Sequence, residues 1–215
     1  MRFRMDAELT VELEASDPTL AIPWSSDDGR LRYYDLKLHP DLLLYVDEAS
    51  RYPELAEFLV QINSAKSVLQ SAKCDAWYST EISEPEEIYG AEGKFVSYID
   101  VFFFPEEHRF SFDYHEEFAR RLVQLLGRAP QISAAAEFII RRCYFAASGA
   151  DLSSVQKDEY QEGFYFTFYL SAYGDDEPDA RKRWGIALKL TGYAILQLSS
   201  NQGHKSEPGS NLPAS

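Results

Sequence analysis

The stretch Gly163-Phe164-Tyr165-Phe166-Thr167-Phe168-Tyr169-Leu170-Ser171-Ala172-Tyr173 constrains the fold more than any other part of the chain. Successive side chains on a β-strand point to opposite faces, so residues two apart share a face. One face carries Phe164, Phe166, Phe168 and Leu170 and needs a hydrophobic layer behind it. The other carries Tyr165, Thr167, Tyr169, Ser171 and Tyr173, which are aromatic or hydroxylated and tolerate water or a partner. A chain built around such a strand is a sheet covered on one side.

The remaining segments supply that layer. Glu8–Glu14 alternates, with Leu9, Val11 and Leu13 facing inward, and reads as a half-buried strand. A helix is predicted from Pro53 to about Ser64, with proline in its first turn and an apolar stripe of Leu55, Phe58, Leu59 and Ile62. Lys73–Ile82 and Phe95–Phe104 read as two strands of a long-looped hairpin. Ser111 or Asp113 caps a second helix, whose buried face is Phe118, Leu122 and Leu125 with Leu126 at its margin, and which stops at Gly127. Ala135–Ala147 is predicted as a strand because Phe138, Ile139, Ile140, Tyr144 and Phe145 crowd it; a helix from Ser133 is the alternative. A third helix runs from Asp176 to about Leu198, apolar nearly all round from Trp184, with Gly185 and Gly192 marking close approach to the sheet or a neighbouring helix. Residues 199–215 have little to bury and are expected to be disordered. The expected fold class is therefore α+β: one domain over residues 1–198, a mostly antiparallel sheet of about five strands, and about three helices on one face. Its element order is the ferredoxin-like βαββαβ, with an added strand and a C-terminal helix.

Charge narrows the partners. Asp and Glu number 35 against 21 Lys and Arg, a net charge of −14. Phosphate backbones and anionic lipid repel such a chain, so neither nucleic acid nor a membrane is expected as a partner. A basic protein is attracted by the same field, although the charge equally serves plain solubility. No apolar segment follows Met1 in the manner of a signal peptide, and the longest apolar run, Trp184–Leu198, falls short of the roughly 20 residues that span a bilayer. The expected location is cytoplasmic. Cys74 and Cys143 read as small core residues, not as a disulfide. The familiar nucleotide, nucleophile and metal motifs are missing, so no cofactor and no metal are expected. His108 and His115, with Glu106, Glu107, Glu116 and Glu117 nearby, are better read as a solvated helix start than as a metal site.

Two constellations remain. Asp100 interrupts the Phe95–Phe104 strand, and Arg141 and Arg142 occupy opposite faces of the Phe138–Phe145 strand. A buried arginine needs a carboxylate, which Asp100, Asp75 or Glu137 could supply. The plain interpretation is a cross-strand ion pair; the functional one is a pocket in which arginine holds an anionic group and Asp100 acts as base. The second constellation is the stripe Tyr165, Tyr169 and Tyr173, extended by Trp77, Ser79 and Tyr98 into an aromatic patch with an acidic rim. Loops around residues 17–50 and 148–161 could instead cover it. The expected function is a non-enzymatic protein-binding module that uses this face. The alternatives are a small enzyme or anionic-ligand binder with the Asp/Arg pocket, and a small-molecule binder with a cavity beside the last helix.

Overall fold

The structure is a computed structural model, and it describes residues 5–146 and 160–203. In chain order the elements are β1 (Asp6–Glu12), β2 (Leu20–Ile22), α1 (Asp47–Arg51), α2 (Pro53–Ile62), β3 (Leu69–Ser79), β4 (Gly93–Phe103), α3 (Glu106–Arg109), α4 (Phe112–Leu126), β5 (Ala134–Ala146), β6 (Tyr160–Gly174) and α5 (Glu177–Gly203). Two 3-10 segments, Pro40–Tyr45 and Glu84–Tyr89, bring the helices among the described residues to seven.

The strands form one sheet of six in the order β1-β5-β6-β4-β3, with β2 pairing β5 beyond the end of β1. The sheet is mixed: β3-β4, β4-β6 and β5-β6 are antiparallel, while β1 and β2 run parallel to β5. The class is α+β as expected and most pairings are antiparallel, but the sheet has six strands instead of about five and its β1/β2 edge is parallel. Alternation reveals which face a residue takes but not which way the neighbouring strand runs. The ferredoxin-like order is not found either. β1 is an edge strand, and β6 sits inside the sheet between β5 and β4.

The expected hydrophobic face is the core. Phe166, Phe168 and Leu170 of β6 are fully buried with Phe95, Ile99 and Phe103 of β4 and with Phe138 and Ile140 of β5, while Phe164 is half-buried at the strand's start. α5 crosses the middle of this face, over β6 and β4, with α2 on its β3 side and α4 on its β1 side. Trp184 is the pin: its ring packs on Phe95 at 4.6 Å and its indole N–H donates to Ser97 Oγ at 2.9 Å. Ser111 caps α4 by accepting from the Tyr114 N–H, and Leu126, not Leu125, completes the buried face.

Gly185 and Gly192 lie against Glu54 and Gln61 of α2, so the close approach they allow is between two helices and not between helix and sheet. α5 also continues five residues beyond Leu198. Ser199 is buried there; its hydroxyl donates to the Ile195 carbonyl at 2.8 Å and accepts from the Val68 N–H at 3.1 Å. The rest of the expected tail, 204–215, lies outside the described residues, as does 147–159. Among the described residues no helix is long and apolar enough to cross a membrane.

Candidate binding face

The face opposite the helices carries the second set of strand side chains, and the register sorts it into rows that cross five strands. The central row is Asp75 (β3), Tyr98 (β4), Tyr169 (β6), Glu137 (β5) and Glu8 (β1). Toward one end follows Lys73, Asp100, Thr167, Ile139 and Thr10; toward the other, Trp77, Val96, Ser171, Ala135 and Asp6.

Two loop segments cover the ends of this face. At the Lys73 end Ile22, Trp24 and Tyr33 pack with Phe102, Phe145 and Tyr165 in a second hydrophobic cluster. The Trp24 indole donates to the carbonyl of Ala72, the residue at which the β3–β4 register shifts, at 2.8 Å. At the other end the Glu84–Tyr89 segment lies across the sheet as a strap. Its Tyr89 ring stacks on Tyr173 with centroids 3.9 Å apart, and the Tyr89 hydroxyl donates to Asp6 at 2.7 Å. Glu86 accepts from Lys94 at 2.7 Å and from the Tyr173 hydroxyl at 2.9 Å. Burial works against ionisation of Glu86, yet these donors and Ser83 hold its carboxyl down at about 2.

The predicted tyrosine stripe is thus divided. Tyr165 and Tyr173 are buried, the first beneath the Ile22–Tyr33 loop and the second beneath the strap, so neither is surface. The sequence anticipates cover from residues 17–50, but not from the strap; the anticipated cover from 148–161 falls almost wholly outside the described residues. Tyr169 and Tyr98 stay half-buried with ring centroids 6.2 Å apart, and Trp77 is exposed with its ring 6.5 Å from Tyr98. These three rings form the uncovered middle. Beside them, between the strap and β1, lies a hollow of about 440 Å³ floored by Tyr169 and Ser171 and edged by Asp6, Glu8 and Glu137.

The Asp/Arg constellation comes together in part. Asp100 and Arg141 are 7% and 9% exposed and are joined through Thr167, whose hydroxyl accepts from Arg141 Nη1 at 2.8 Å and donates to Asp100 Oδ1 at 2.7 Å. The carboxylate of Arg141 is Glu12 on β1, at 2.7 Å from Nε and 2.6 Å from Nη2, and not Asp100, Asp75 or Glu137. Arg142 takes the other face, bonding the Leu13 carbonyl and reaching Glu162 at 3.6 Å, so it is no part of this site. Burial raises the Asp100 carboxyl to about 6, against the opposing pull of Thr167, Lys73 and Arg141. Burial also raises the Tyr98 phenol, and the neighbouring carboxylates of Asp100 and Asp75 push it further.

Chemically, Asp100 has a base-like pKa but no open approach, and the guanidinium of Arg141 is engaged on all three nitrogens. That is a structural network. The contributions of Glu12, Glu8 and Thr167 were visible only as strand parity, because their partners lie far along the chain. His115 is buried with Nδ1 against the Ser111 carbonyl at 2.8 Å, and His108 stacks on Tyr114 at 3.8 Å. Among the described residues no group of three His, Cys, Asp or Glu side chains could hold a metal ion. No family model, curated protein or solved structure matches the chain.

Proposed function

We propose that the protein is a non-enzymatic binding module that engages a basic partner protein through the uncovered middle of the open sheet face. The observation that carries this reading is the central row: two tyrosines flanked by Asp75 on one side and by Glu137 and Glu8 on the other. Aromatic faces attract lysine and arginine cations within about 6 Å, and adjoining carboxylates add charge-assisted hydrogen bonds. Glu8 and Glu137 share one position of the β1–β5 register, and Glu137 also accepts from the Thr10 hydroxyl at 2.8 Å. A cation laid across the row would meet both carboxylates. Tyrosine and tryptophan also supply large contact areas at low side-chain entropy cost, the composition of interface cores. The net charge of −14 would steer a basic partner toward the protein over several ångströms, with an association rate that falls as salt rises.

The test is affinity capture from the native cell extract with wild-type protein and with a Trp77→Ala/Tyr169→Ala variant. The expected outcome is a stoichiometric basic protein retained by the wild type at low salt and lost by the variant, whose melting temperature stays close to that of the wild type. Equal retention by both proteins, or no stoichiometric partner, refutes the reading.

A further inference from the structure

A cavity of about 370 Å³ lies at the β3 edge, between residues 71–75 of that strand and the segments around Trp24–Leu36 and Leu44–Glu48. Its floor is apolar, with Leu36 and Leu59 both buried. Its walls are aromatic: Trp24 and Tyr98 on the sheet side, and the Tyr34–Tyr45 pair stacked at 6.1 Å on the loop side. Its rim is apolar and open, for Leu31 is 59% and Leu44 81% exposed. An enclosed apolar floor beneath an exposed apolar rim is the ordinary form of a small-molecule site.

Both signs of charge line the mouth. Asp75 accepts from the Ala76 N–H at 2.7 Å and Glu48 pairs with Arg51 at 3.4 Å, while Asp47 makes no salt bridge among the described residues. Of the lining cations Arg30 pairs with Asp28 at 3.5 Å, whereas among the described residues neither Lys73 nor Arg32 makes a salt bridge within 4.0 Å. Lys73 Nζ instead lies 5.5 Å from the Trp24 ring and 5.8 Å from the Tyr98 ring, and the Arg32 guanidinium lies 5.4 Å from the Tyr34 ring. Both cations are thus held at the cavity wall by aromatic faces, with hydrogen-bonding capacity left over. A docked peptide strand is a poorer occupant, because Trp24 already takes the Ala72 carbonyl and Asp75 the Ala76 N–H along this edge.

We propose that this cavity binds a planar aromatic carboxylate, its ring between the aromatic walls and its carboxylate between Lys73 and Arg32. The site borders the central row at Tyr98 and Asp75 but includes neither Trp77 nor Tyr169, so a ligand here is distinguished from a partner on the row by the variants below. The test is isothermal titration with indole-3-acetate and with tryptamine, which keeps the ring and reverses the charge. Indole-3-acetate is expected to bind saturably, and tryptamine at least about tenfold more weakly. A Lys73→Met/Arg32→Gln variant should lose about tenfold in affinity for the anion with an unchanged melting temperature. The Trp77→Ala/Tyr169→Ala variant should bind it like the wild type. Absence of saturable binding at millimolar ligand, equal affinity for the two ligands, or full affinity in the Lys73/Arg32 variant would each overturn the proposal.

Discussion

Asp100 and His115 are both driven toward their neutral forms by burial, and their titrations oppose each other over one pH range. The Asp100 carboxyl rises from 3.8 to about 6, so its contribution to stability is greatest in acid and is lost as pH rises through 6. Burial lowers the His115 imidazole from 6.5 to about 4, against the pull of the Ser111 and Phe164 carbonyls, so its contribution is present above 6.5 and is lost as pH falls toward 4. Each corresponds to roughly 2–3 kcal/mol, and their opposite pH dependences nearly cancel between pH 4 and 6.5. Asp100→Asn keeps an acceptor for Thr167 and removes the charge. It should raise stability by about 2 kcal/mol at pH 7 and converge on the wild type near pH 4. Urea unfolding at both pH values checks this, and a difference that does not change with pH would contradict it. At this scale the sequence shows that Asp100 and Arg141 are anomalous within strands, and it correctly separates Arg142 onto the other face. It does not show that Glu12 answers Arg141, since that partner lies 129 residues away and parity carries no information about neighbours.

Among the elements, the strap is held differently from everything around it. None of its residues from Glu84 to Tyr89 is fully buried, so hydrogen bonds, the Lys94–Glu86 ion pair and the Tyr89–Tyr173 stack hold it, with little help from apolar burial. Tyr89→Ala should therefore speed hydrogen exchange in residues 84–90 markedly while lowering global stability by only about 1–2 kcal/mol. Exchange mass spectrometry read beside a urea melt separates the two, and an unchanged exchange rate would show that the strap docks by other means. The strap also shows where pattern reading stops. A run such as Glu84-Pro85-Glu86-Glu87 has the composition of a solvated connection, and the cross-face contacts of Tyr89 leave no periodic trace. The longer strands and helices, by contrast, were legible to within about five residues: the strands alternate, α2 and α4 each carry one apolar stripe, and α5 is a long run apolar nearly all round. The short α1, α3 and β2 were not, being too short to show a period.

For the molecule as a whole, the sheet joins segments made at opposite times. The antiparallel β3–β4–β6–β5 portion comes from residues 69–174, whereas β1 and β2 reach β5 only by closing a loop of more than a hundred residues. Loop closure of that size is paid for before the pairing contributes, which places β1 late in folding. Stopped-flow refolding should find that Leu9→Ala, in β1, mainly speeds unfolding, while Phe168→Leu, in β6, slows folding. A Leu9→Ala variant that folds as slowly as the Phe168 variant would put β1 in the nucleus instead. The parallel edge has a further consequence on the ribosome. The partners of Leu20–Ile22 are Cys143–Phe145, so a nascent chain carries β1 and β2 unpaired while more than a hundred further residues are made. The glutamates that alternate along β1, at positions 8 and 12, keep that waiting strand charged, and so discourage two growing chains on one message from pairing with each other before β5 emerges.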